Sequence, residues 1–178
     1  MRGSGLVGHV RAFAVTVLAL ATLGVPAGLV WSLIAPRAPY ALTGEGPVLA
    51  DPATQSLIAA DGWYAVITGA LALACAVVAW NLARTRRLEV LLGLAAGGGL
   101  AAFVTYWVGT TFTLGAVTVE AQALGPGVKV VAGALELTAK GVLVTWPLLA
   151  VGMFGIMEAV VAYRESPLRR PYGEIERL

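Results

Sequence analysis

Charged residues are spaced far apart along this chain, and the stretches between them predict its main elements. No Asp, Glu, Lys or Arg occurs between Arg11 and Arg37, between Asp61 and Arg84, or between Glu89 and Glu120, and residues 141–163 contain only Glu158. A helix rises about 1.5 Å per residue, so about 20 apolar residues cross a hydrocarbon core of about 30 Å. Each stretch is long enough. Lipid cannot hydrogen-bond an open backbone, so such stretches must be helical. The pattern predicts an all-α membrane protein, a bundle of four transmembrane helices near 11–34, 63–84, 88–112 and 140–163. Together these form a domain over 1–163, followed by a tail at 164–178.

The two connections at 35–62 and 113–139 are longer than minimal turns. In the second, Val117, Val119 and Ala121 alternate with Thr118, Glu120 and Gln122 before Leu124-Gly125-Pro126-Gly127. Period-two alternation beside a Gly-Pro turn suggests a β-hairpin over 117–137. Two amphipathic interfacial segments are the alternative. The first connection is rich in Pro and Gly and suits an added edge strand. Asp51-Pro52 reads as an N-cap followed by proline at the first helical position, predicting a short helix near 52–60 that ends at a bend at Gly62.

Composition agrees with this pattern. The chain is 58% hydrophobic and 12% charged, against about 25% charged in soluble domains. The first apolar stretch exceeds the roughly 7–15 residues of a signal-peptide core, and Ala35-Pro36-Arg37-Ala38-Pro39 offers no clean cleavage site, so it reads as a retained helix.

The basic residues set an orientation. Arg2 and Arg11, then Arg84, Arg86 and Arg87, then Arg164, Arg169, Arg170 and Arg177 place nine on one side; Arg37, Lys129 and Lys140 place three on the other. The positive-inside rule puts the nine, and both termini, in the cytoplasm. The expected location is a bacterial plasma membrane. The tail is expected to lie against anionic lipid, with Pro167 and Pro171 interrupting any continuous helix.

Asp61-Gly62-Trp63-Tyr64 precedes the second span. Asp61 reads as a cap at a helix start, and Trp63 and Tyr64 as an aromatic belt at the headgroups; a contact site for a partner or ligand is the other reading. Gly24-x-x-x-Gly28 and Gly93-x-x-x-Gly97 let helix backbones approach, within one bundle or between subunits. Pro26 and Pro147 are expected to kink helices one and four. Glu158 is the one acid inside a span, shallow enough to pair with Arg84, Arg11 or Arg164 as a structural bridge, or else to couple a proton.

Reactive chemistry is sparse. His9 is the only histidine and Cys75 the only cysteine, which leaves no serine triad, histidine-rich zinc site or internal disulfide. Asp51 and Asp61 both sit at expected helix starts rather than as a converging pair. No glycine-rich phosphate loop and no aromatic-basic nucleic-acid surface occurs. No catalytic residue, metal or cofactor is assigned.

With Ala59-Ala60-Asp61-Gly62-Trp63 before the second span and Ala134-Leu135-Glu136-Leu137-Thr138-Ala139-Lys140 leading towards Trp146-Pro147, the chain resembles the small four-helix membrane proteins of actinobacteria grouped as a domain of unknown function. The resemblance implies an inner-membrane location and supplies no activity to carry over. The expected role is a non-enzymatic accessory or scaffold subunit, with a membrane-protein partner or self-association and Asp61, Trp63, Tyr64 and Glu158 as candidate contacts. A small oligomeric transporter or channel is the alternative, and a lipid-directed enzyme lacks the paired acids or histidines that such chemistry needs.

Overall fold

A computed structural model describes residues 3–43, 46–51, 53–83, 86–123 and 129–166. In chain order these form α1 (Gly3–Ile34), β1 (Pro39–Thr43), β2 (Gly46–Leu49), α2 (Ser56–Leu82), α3 (Arg87–Ala123), β3 (Lys129–Ala132), a 3-10 turn (Lys140–Val144) and α4 (Thr145–Glu165). All four α-helices are long and apolar enough to cross a membrane. The strands lie at the end opposite the α2–α3 connection. The molecule therefore has a cap end and a basic end, the latter carrying Arg11, Arg86, Arg87 and Arg164.

The helices form an arc. α1 packs chiefly on α3, α3 also on α4, and α4 on α2; α1 and α2 meet less than any of these neighbouring pairs. The α1–α3 seam is a parallel pairing of small residues. A Cβ added at Gly24 would lie 2.7 Å from the Ala101 carbonyl oxygen, and one at Gly28 2.6 Å from that of Thr105. Towards the basic end, a Cβ on Gly97 would lie 2.9 Å from the Val17 Cα. Both Gly-x-x-x-Gly motifs thus serve one intramolecular contact, which backbone proximity stabilises through dispersion. Thr105 reinforces it by donating from Oγ1 to the Gly24 carbonyl at 3.1 Å.

Several expectations from sequence are corrected. α2 begins at Ser56 and runs unbroken through Gly62, so there is no separate helix over 52–60 and no bend. Asp51 instead closes a turn, its Oδ1 accepting from the Ala53 amide at 2.9 Å and its carbonyl from the Thr54 amide at 3.1 Å. α3 continues eleven residues past the expected end at 112, through Ala123. The alternating stretch 117–123 is therefore helix, and the hairpin over 117–137 does not form. The hairpin lies in the first connection, where β1 and β2 pair antiparallel, and β3 joins from the second in the order β2-β1-β3. Pro147 falls in the first turn of α4, where an amide has no helical acceptor to lose, so it marks a helix start rather than a kink. The tail beyond Ser166, with Arg169 and Arg170, lies outside the described residues.

Candidate functional site

The cap is fastened to the bundle by side chains from three helices. Asp61, in the second turn of α2, is 7% exposed. Its Oδ1 accepts from the Thr138 amide at 3.1 Å and its Oδ2 from the Ala139 amide at 2.8 Å. It caps a segment 77 residues away rather than its own helix, which corrects the N-cap reading. Thr113 of α3 acts in parallel: its Oγ1 accepts from the Leu135 amide at 3.1 Å while donating to the Gly109 carbonyl at 2.9 Å. Between these anchors Leu135 and Leu137 pack into a cluster with Trp31, Ala35, Ala60 and Tyr64.

Tyr64 is fully buried, not a belt residue. Its hydroxyl donates to the Ala102 carbonyl at 2.6 Å, tying α2 to α3. Its ring meets Trp31 edge-on, with centroids 5.2 Å apart, and the Trp31 indole donates to the Ala60 carbonyl at 2.9 Å. These contacts join α1 to α2 at the cap end. Trp63, one position along, stays 43% exposed. The motif therefore divides: Asp61 and Tyr64 face inward one helical turn apart, while Gly62 and Trp63 face outward.

The sheet has two unlike faces. Tyr40 pairs with Leu49 on one side and Val131 on the other, and Val131 is buried. The neighbouring row runs Val48, Ala41, Val130. Val48 is 55% and Val130 60% exposed, so an apolar row stands open on the face opposite buried Val131.

At the basic end Glu158 of α4 pairs with Arg87 of α3. Arg87 also places its guanidinium 5.9 Å from the centre of the Trp80 ring. The three partners expected from sequence are thus replaced by a fourth, since the start of α3 brings Arg87 rather than Arg11 or Arg164 to the acid. Arg84 lies outside the described residues. Glu158 Oε1 has no hydrogen-bond partner among the described residues. His9 of α1 pairs with Glu89 of α3 at the same end.

Among the described residues no group of three or more His, Cys, Asp or Glu side chains gathers. Asp51 and Asp61 are each engaged by backbone amides. Trp31, Thr113 and Arg87 carry the junctions yet were not singled out from sequence, because each has its role only through a partner distant in the chain. No family model, curated protein or solved structure matches the chain.

Proposed function

We propose that the chain is a multi-pass protein of a bacterial plasma membrane, with its basic end and both termini in the cytoplasm, serving as a non-enzymatic accessory or scaffold subunit whose outer cap docks on a partner membrane protein. The observation that carries this reading is the row Val48, Ala41, Val130, exposed at both its valines, on a sheet whose following segment is tied to the bundle by Asp61 and Thr113. Apolar groups facing water gain free energy when covered. The polar groups near the cap, Asp61, Tyr64 and Thr113, are already engaged in holding it. The actinobacterial resemblance belongs to the same proposal. The transporter reading has less support, since Glu158, the acid that would couple a proton, is held by Arg87.

A photoreactive residue at Val48 or Val130 of the full chain, activated in intact cells, tests it. One discrete adduct with a different membrane protein is expected from both positions and not from Ile58, which is exposed on α2 outside the sheet. An adduct of twice the chain's mass would replace the partner with a second copy. No adduct, together with recovery of the chain alone in mild detergent, would overturn the proposal.

A further inference from the structure

The open side of the arc is a groove. Between α1 and α2, along the basic half of the molecule, lies a space of about 870 Å³, within the roughly 300–1,000 Å³ of sites that enclose a ligand. Its walls are Val15, Ala19 and Leu23 from α1 and Leu71, Ala74 and Val78 from α2, with buried Leu94 of α3 as the floor. Inside it the Thr16 hydroxyl is spent on its own helix, donating to the Ala12 carbonyl at 2.9 Å. The interior thus offers hydrocarbon and almost no hydrogen bonding.

The mouth differs. Arg11 and Arg86 line its basic end. Neither has an ion-pair partner among the described residues; Glu89, whose charge Arg86 also feels, is engaged with His9. From Arg11 to Leu23 is twelve residues, about 18 Å along the helix axis. Half of a hydrocarbon core is about 15 Å. The groove is therefore one leaflet deep, with two guanidinium groups at headgroup level. It closes towards the cap, where Trp31 bonds Ala60 and meets Tyr64. A partner's membrane helix, about 10–12 Å across, has to cross the whole bilayer and meets that closure. Acyl chains end at the midplane and do not.

We propose that this groove holds the acyl chains of an anionic diacyl phospholipid of the cytoplasmic leaflet, with its phosphate between Arg11 and Arg86. Lipid tails are as apolar as the groove walls, so filling it gives little selectivity, which comes instead from the headgroup charge. The inference rests on the membrane orientation proposed above and is independent of any partner at the cap, so lipid retention and cap adducts fail separately.

The test is native mass spectrometry of the full chain, stripped in neutral detergent and given equimolar dioleoyl phosphatidylglycerol and dioleoyl phosphatidylcholine. One bound phosphatidylglycerol, retained in preference to phosphatidylcholine, is expected. Arg11→Gln with Arg86→Gln should weaken its retention about 30-fold. Ala19→Trp with Ala74→Trp, filling the groove, should abolish it. Glycerol phosphate at the lipid's concentration should not displace it, which separates a lipid site from a phosphate site. Equal retention of the two lipids by the unaltered chain would overturn the proposal whether or not any variant folds. So would undiminished retention by the groove-filled chain, or displacement by glycerol phosphate.

Discussion

Asp61 receives two amides from a segment far along the chain, and neither amide belongs to a helix that would otherwise satisfy it. Hydrogen bonds to a charged acceptor each contribute roughly 1.5–3 kcal/mol, less where water reaches them. Asp61→Ala is expected to destabilise the cap by about 2 kcal/mol. Limited proteolysis should then cut within 133–140 well before the helices unfold, and unchanged cleavage would rule the anchor out. Tyr64→Phe removes one buried donor and leaves the Trp31 contact, so a loss of about 1 kcal/mol in thermal or denaturant unfolding is expected. The sequence makes this region legible as a boundary, through the acid, the glycine and the aromatic pair. It does not reveal that Asp61 and Tyr64 face inward. That follows from α2 starting at Ser56, which fixes the helical phase, and from amides that arrive from Thr138 and Ala139.

At the scale of elements, two glycine substitutions separate seam from surface. Gly28→Leu forces a side chain against the Thr105 carbonyl and Val108, and overpacking of this kind costs about 1–3 kcal/mol or more. Gly62→Ala meets no atom within 4 Å and sits inside a helix, so it should stabilise by about 0.5–1 kcal/mol. Paired unfolding curves check both signs. A neutral Gly28→Leu would mean that α1 and α3 do not approach as described. The four long apolar helices were readable because wide charge spacing marks their middles, although α1 runs through Arg11, α2 through Asp61 and α3 through Glu120. The edge strand expected in the first connection is present as β2, but the hairpin expected over 117–137 is not, because Val117, Val119 and Ala121 alternate as a strand does, yet they continue a helix already begun at Arg87, and propagation adds a hydrogen bond for each further residue. In the first connection Thr43-Gly44-Glu45-Gly46 has a turn composition between two apolar pairs, a signal for a hairpin and not only for a single edge strand.

For the whole molecule, charge placement gives the clearest expectations. With Cys75 replaced by alanine, a cysteine at Val48 should react with a membrane-impermeant thiol reagent in intact cells, and one at Val7 only after the membrane is opened. Reversed labelling would invert the orientation. The Arg87–Glu158 pair is part-exposed, with side chains 41% and 30% accessible. Glu158→Gln is therefore expected to shift stability by less than about 1 kcal/mol, as read by denaturant unfolding in detergent.

The pairing of α1 with α3 and of α2 with α4 also constrains how the chain is made. When α2 leaves the ribosome, α1 has no proper neighbour, because its seam is complementary to a helix not yet synthesised. The newborn α1–α2 pair must wait, joined near the cap and apart elsewhere, until α3 slides in beside α1. A quality-control protease that surveys unassembled membrane helices meets its best substrate in that interval. A chain stopped after Leu82 should therefore be short-lived in a pulse-chase experiment, and supplying residues 83–178 as a separate polypeptide should extend its lifetime.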